Sequence, residues 1–163
     1  MFFFLCYNLY GDNMIYNIKD KMEYLDEVVL LEYNEWASNK EDDIESRLKR
    51  KKEKIISMLD NKSFCKLILV ENNNLIGFIS LFPYEKETDE IGPWYATMYV
   101  KKEYRGLGYS KLLNNAILEE ARRLGFKKVY LKSDLENYYE KFGAKLIGQY
   151  DDKEKLYVIE LGE

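Results

Sequence analysis

Residues 93–110 read PWYATMYVKKEYRGLGYS, and the fold turns on them. Residues 95–100 are rich in aromatic and β-branched side chains, which suit a pleated, half-buried strand. Residues 101–105 are polar and basic, and Gly106 and Gly108 stand where a helix should begin. From Tyr109 onward, Leu112, Leu113, Ala116, Ile117, Ala121 and Leu124 recur at helical spacing, and Gly125 supplies a C-terminal stop. The unit is a strand, a basic turn, a glycine loop and a helix. The first turn of a helix leaves backbone N–H groups unpaired, and its dipole favours negative charge there. Glycines let the main chain approach a phosphate with no Cβ in the way, and Arg105 adds a fixed positive charge. A phosphate or pyrophosphate is the natural guest of this unit.

The loop is not a Walker A motif, since no Gly-Lys-Ser/Thr closes it. A dinucleotide fingerprint would need its third glycine at Lys111. What Arg105-Gly106-Leu107-Gly108-Tyr109-Ser110 resembles is the acyl-CoA loop of the GCN5-related N-acetyltransferase (GNAT) superfamily, Gln/Arg-x-x-Gly-x-Gly/Ala, with Ser110 standing for the final Gly or Ala. The resemblance extends to the PWxxxxYV strand before the loop and to YYEKFG at 138–143, which is similar to the family's short FYEKxGF helix. It covers residues 65–161 well and 14–60 in outline.

Length and composition agree with a single domain. The chain has 163 residues, 47% hydrophobic and 33% charged, enough for one proper core. Its net charge of −4 argues against a general nucleic-acid binder. The absence of histidine excludes His-based triads, His general bases and His metal ligands. Cys6 and Cys65 are too few for a disulfide framework and have no metal-site spacing, so the reading is a reducing, cytoplasmic location with no metal. Residues 1–13, MFFFLCYNLYGDN, are apolar but too short to span a bilayer, and they lack the marks of a secretory signal. They read as an N-terminal extension that packs somewhere or adds to a sheet edge, or else the native start is Met14. Residues 14–163 are the domain.

In chain order, residues 14–18 form a first strand, and Asp20 with Glu23 makes a capping box for a helix whose stripe is Met22, Leu25, Val29, Tyr33 and Trp36. Ser38 or Asn39 caps a second helix with Glu41, Asp42 and Asp43 in its first turn. Its basic run from Arg47 to Lys54 is a solvated face, with Ile44, Leu48 and Ile55 on the buried one. Residues 64–71 and 75–82 pair across an Asn-rich turn, and residues 84–92 make an acidic loop. After the organising strand and helix come a strand at 127–132, a short helix at 135–142 capped by Asp134 and stopped by Gly143, and a hairpin over 146–161. The order β-α-α-β-β-β-α-β-α-β-β predicts an α/β fold with a mixed, twisted sheet and helices on both faces. The GNAT-like acyl-CoA N-acyltransferase fold has this order, and the resemblance implies parallel strands that splay to admit a pantetheine arm.

The resemblance also implies chemistry. Such enzymes move an acetyl group from acetyl-CoA to an amine by direct attack in a ternary complex. Backbone groups of Met98 and Val100 should meet the thioester and pantetheine amides at a bulge, while Arg105, Gly106, Leu107, Gly108, Tyr109 and Ser110 cradle the pyrophosphate. Tyr139 matches the family's thiolate-protonating phenol, with Tyr138 as the less favoured neighbour. Glu90, with Asp89 behind it, is the candidate general base; the equal alternative is that this loop is only solvated charge. If the loop is functional, its carboxylates draw in a cationic acceptor (a small amine, a polyamine, a peptide lysine or N-terminus), with Trp36, Tyr84 and Tyr95 as apolar walls. No nucleic-acid or membrane partner is expected, and the aromatic N-terminus and C-terminal hairpin offer surfaces for a homodimer. A non-catalytic acyl-CoA-binding module of the same fold is the alternative function, and a nucleotide-binding protein using the same helix start is a third.

Overall fold

The computed structural model describes residues 7–8, 13–37, 43–85 and 90–162. Its strands are β1 (Tyr7–Asn8), β2 (Asn13–Asn17), β3 (Cys65–Glu71), β4 (Asn74–Phe82), β5 (Trp94–Val100), β6 (Lys128–Ser133), β7 (Ala144–Gln149) and β8 (Lys155–Glu160). The helices are α1 (Leu25–Trp36), α2 (Ile44–Met58) and α3 (Tyr109–Arg123). All eight strands form one mixed sheet, ordered β1-β2-β3-β4-β5-β6-β8-β7. Every neighbouring pair is antiparallel except β5 and β6. That parallel pair shares a single register position, Trp94↔Tyr130. The two strands meet at one end and then part.

The β3 run CKLILVE explains why the sheet is covered twice. Leu67 and Leu69 join a core with Leu113, Ile117 and Ala121 of α3. Ile68 and Val70 join a second core with Leu25, Val28 and Val29 of α1 and Ile55 and Met58 of α2. Alternate residues of a strand point to opposite faces, so a strand buried on both faces reads as continuous apolar sequence. A third, smaller cluster of Trp94, Tyr130 and Val158 sits where β5 and β6 touch. Each fully buried aliphatic side chain contributes about 1.5–3 kcal/mol, so Ile117→Ala at the centre of α3 is among the costliest single changes.

Local signals set the turns of the sheet and the end of α3. Asn72 and Asn73 both take positive φ (49° and 61°) in the two-residue β3–β4 turn, the conformation a type I′ hairpin requires. Gly125, at φ +90°, follows the last residues of α3 as its stop. Three helix starts differ from those expected. Asp20 and Glu23 form no capping box: Asn17 caps a 3₁₀ turn at Ile18–Asp20, a second 3₁₀ turn covers Met22–Tyr24, and α1 begins only at Leu25. For α2 the cap is Asp43, whose carboxylate accepts from the Glu45 N–H at 3.1 Å. The expected caps Ser38 and Asn39, with Glu41 and Asp42, lie outside the described residues. The segment expected as a helix over 135–142 is a 3₁₀ turn confined to Tyr139–Phe142, and it is Ser133, not Asp134, whose hydroxyl accepts from the Leu135 N–H.

Residues 1–13 of the expected extension are described only at Tyr7–Asn8, which pair with β2, and at Asn13. Cys65 is buried as a free thiol; Cys6 lies outside the described residues. Among the described residues no helix is long and apolar enough to cross a membrane, and no cluster of His, Cys, Asp or Glu has a metal-binding arrangement.

Candidate active site

The divergence of β5 from β6 opens the molecule beside β5. Two cavities lie along this opening, about 460 Å³ and 520 Å³ in volume. The first is bounded by the glycine loop and the start of α3, through Arg105, Gly106, Gly108, Tyr109 and Ser110. The second is bounded by Trp36, Tyr95, Lys132, Asp134, Glu85 and Glu154. Met98, Leu135 and Tyr139 line both, so the two chambers meet at these three side chains.

The loop geometry follows from its glycines. Gly106 and Gly108 have φ of +77° and +88°, in the region an L side chain rarely adopts, and a Cβ on either would project into open space. Gly108 is the N-cap of α3 with no side-chain cap bond, so the helix presents bare backbone donors to the first chamber. Arg105 is fixed by donation of Nε to Val100 O at 2.8 Å, and its guanidinium lies 5.5 Å from the centre of the Tyr99 ring. Leu107 is 67% exposed and does not line the chamber. The residues present suit a pyrophosphate: main-chain donors at a helix start, a dipole end, and the cations Arg105 and Lys141 on the chamber wall.

β5 is bent where the chambers meet. Its register with β4 slips between Phe78↔Tyr99 and Ser80↔Ala96, leaving Thr97 and Met98 together opposite Ile79. Thr97 takes φ +50°, a strained state for a β-branched residue, costing on the order of 1–3 kcal/mol. This β-bulge re-aims the strand, and Met98 and Val100 beyond it both line the first chamber. The Tyr95 hydroxyl donates to Met98 Sδ at 3.3 Å.

Tyr139 is packed edge-on against Tyr95 and Tyr138, with ring centres 5.9 and 4.9 Å away. Burial first, then the neighbouring Tyr138 and Asp134, pushes its phenol up to about 12. It therefore stays protonated, a donor rather than a base, throughout the neutral range. Tyr138 lines only the first chamber, with the Lys141 ammonium 3.9 Å from its ring centre.

The second chamber is acidic. Lys132 is clamped between Glu85 at 2.9 Å and Glu154 at 3.0 Å. Burial would lower the pKa of the Lys132 ammonium, but these two carboxylates outweigh it and hold the pKa above its ordinary range. Counting Asp134, three carboxylates face one ammonium on this wall.

Glu90, expected as a general base, is exposed on the loop before β5 and lines neither chamber; Asp89 lies outside the described residues. Of the expected apolar walls, Trp36 and Tyr95 line the second chamber. Tyr84 instead packs in the core under α1 and α2. Lys132, Asp134, Glu154 and Leu135 were missed as wall residues. Their only sequence signal is position at the end of β6 and in the β7–β8 turn, and it acquires meaning once β8 inserts between β6 and β7.

Solved structures share this architecture at low sequence identity. A PaiA N-acetyltransferase from Thermoplasma acidophilum, in complex with coenzyme A, is 23% identical with a TM-score of 0.65, over 92% of this chain and 99% of that one. The dodecameric spermidine N-acetyltransferase from Vibrio cholerae is 19% identical with a TM-score of 0.67, over 92% and 94%. Aminoglycoside 6′-acetyltransferase type Ii is 19% identical with a TM-score of 0.68, over 91% and 97%. No curated protein matches the chain in sequence. Residues 23–144, well over half of the chain, match the family model of the GNAT acetyltransferases. With the splayed β5–β6 pair and glycine-capped α3 in the places the motifs required, the chain belongs to the GNAT acetyltransferase family.

Proposed function

We propose that this protein is an acetyl-CoA-dependent N-acetyltransferase acting on a primary amine that carries positive charge. The observation behind the reading is the meeting of two unlike chambers at Tyr139, one walled by bare main-chain donors and the other by carboxylates. The glycine loop and the α3 N-terminus hold the pyrophosphate, and the main chain around the bulge receives the pantetheine arm and thioester. The acidic wall collects and orients the ammonium form of the acceptor. A carboxylate then takes one proton, since only a neutral amine attacks. We assign this role to Asp134, which lines the acceptor chamber and acts electrostatically on Tyr139, in preference to the exposed Glu90. As the amine nitrogen bonds to the carbonyl carbon and the C–S bond breaks, the Tyr139 phenol gives its proton to the departing thiolate, and the second proton shed by the acylated nitrogen restores the phenol, so that the amide and the free thiol leave and one proton stays on the carboxylate. The solved neighbours named for spermidine and aminoglycoside acetylation make such amines the first to test.

The test is a panel of cationic, neutral and anionic amines assayed with acetyl-CoA. The expected result is a higher kcat/KM for polyamines and aminoglycosides than for neutral amines, falling as salt rises, with Asp134→Asn slower than Glu90→Gln. A preference for anionic amines would overturn the acceptor assignment. Acetyl-CoA binding without turnover on any amine would favour a binding module.

A further inference from the structure

Beneath the bulge lies a chain of buried polar groups that the transfer chemistry does not use. Lys66, in the middle of the sheet on β3, is 0% exposed. Its ammonium donates to Glu32 on α1 and, at 2.6 Å, to Ser80 Oγ on β4. The Thr97 hydroxyl donates to the same Ser80 Oγ at 2.7 Å. Glu32 is 5% exposed, and its other oxygen lies 3.7 Å from the ammonium of Lys51 on α2. The rings of Phe78 and Phe82 flank the Lys66 ammonium at 5.1 and 6.0 Å. The chain Glu32–Lys66–Ser80–Thr97 thus runs from a helix, through two strands, to the one non-glycine residue of β5 with positive φ.

A buried ion pair is a poor way to gain stability, because desolvating both charges offsets most of their attraction and an apolar pair of the same volume serves as well. What such a pair supplies is direction. Ser80 Oγ has two lone pairs, and with one committed to the Lys66 ammonium the other is aimed at Thr97. That fixes the Thr97 rotamer in a backbone state which β-branched residues avoid. The far end of the chain is equally placed. Glu32 lies one helical turn before Glu35, which lines the donor chamber, and Trp36, which lines the acceptor chamber. One network therefore grips both the bent strand and the helix that walls the site.

We propose that Lys66, with Glu32 and Ser80, is a positioning element that holds the Thr97–Met98 bulge in register with the helix α1 wall, so that the main chain of β5 is aimed at the thioester carbonyl. This rests on the transferase reading above. It assigns these residues an effect on the aim of the strand, and little on whether the donor binds.

The experiment compares the full-length wild type with the double variant Lys66→Met/Glu32→Met, which removes both buried charges together, and with the milder Ser80→Ala. Lys51 is partly exposed and is left solvated in the double variant. Isotope-edited infrared spectra of bound [1-13C]acetyl-CoA read the polarisation of the thioester carbonyl, amide hydrogen exchange reads the bulge, and calorimetry reads affinity. The expected result has three parts. The carbonyl shift seen on binding to wild type falls by roughly half or more, exchange at Thr97 and Met98 speeds about tenfold with the β3–β4 hairpin unchanged, and acetyl-CoA affinity stays within about threefold. On any amine the wild type acetylates, kcat then falls about tenfold to a hundredfold at similar KM. Wild-type carbonyl shift, exchange and kcat in both variants would show that the network merely fills space. Failure of the wild-type chain to bind acetyl-CoA would overturn the transferase reading and this role with it, a result distinct from either outcome above.

Discussion

Two glycines of α3 make a controlled experiment. Gly108 at its start and Gly125 just past its end have nearly the same φ, +88° and +90°, and at both an added Cβ meets no atom within 4 Å. Alanine at either position therefore brings backbone strain and no clash. That strain is about 1–2 kcal/mol, and it is partly offset by the lower entropy of the unfolded chain, leaving about 1 kcal/mol. For a chain of this length each variant should melt about 2–4 °C lower. The two differ in what the new methyl faces. Gly108 lines the first chamber at the helix start, so its methyl is added to that wall, while the Gly125 methyl is about 25 Å away along the helix axis. Pushing a pyrophosphate off one charge-assisted hydrogen bond costs about 1.5–3 kcal/mol, roughly tenfold to a hundredfold in Kd. Calorimetric titration with acetyl-CoA, alongside melting curves, should show matched losses of stability but weakened binding only for Gly108→Ala. Equal affinity in both variants would refute the assignment of the loop to phosphate, however well it suits one.

Three further outcomes follow from the packing. Tyr139→Phe should bind acetyl-CoA as wild type does and acetylate more slowly. Because the folded Tyr139 holds its proton to about 12 while a free tyrosine loses it near 10, the stability this group contributes is present below pH 10 and lost as pH rises to 12, on the order of 2 kcal/mol. Urea unfolding between pH 9 and 12 should accordingly show a shallower decline in the phenylalanine variant. Burial raises the Cys65 thiol from 9.0 to about 12, which cuts its thiolate fraction at pH 8 by roughly a thousandfold. In a Cys6→Ser background a thiol reagent should label Cys65 only at the rate of unfolding, and rapid labelling would contradict its burial. Finally, Gly77→Ala would drive a Cβ into the backbone carbonyl of Tyr99 and to 3.2 Å from Leu113 Cδ1. It should lower stability by about 1–3 kcal/mol in a denaturant titration, where Gly148→Ala, in open space, should not.

The parts legible in sequence were those whose physics is local. The β5–loop–α3 unit, the turn expected at 72–74 and the Gly125 stop each depend on residues within a few positions of one another, and all formed, the turn one residue shorter because Asn74 joins β4. The misread helix starts show the limit of local rules. The Asp20–Glu23 spacing fits a capping box, yet packing drew residues 18–24 into two 3₁₀ turns and moved the cap away. The site is less legible because its walls come from distant segments. Lys132 gains its meaning from Glu85 and Glu154, 47 residues before it and 22 after. Lys66 stands in an apolar strand with no local signal of its role, and its burial depends on Glu32 and Ser80 arriving from a helix and a neighbouring strand. The position of the bulge depends on how β4 and β5 share their register, a property of the pair rather than of either sequence.

The solitary Trp94↔Tyr130 contact between β5 and β6 divides the site into two kinds of recognition. Beyond it, β5 offers its next neighbour a flank of peptide groups, and peptide groups are the same whatever the side chains. A guest laid along that flank is held by something that single substitutions barely alter. The opposite chamber is made of side chains, Trp36, Glu85, Lys132, Asp134 and Glu154 among them, drawn from the end of α1, from loops and from the far end of β6. Inheritance therefore acts unequally on the two halves. The main-chain side changes only when a strand is rebuilt, while the side-chain side changes with single substitutions, so the guest of the second chamber is the easier of the two to exchange.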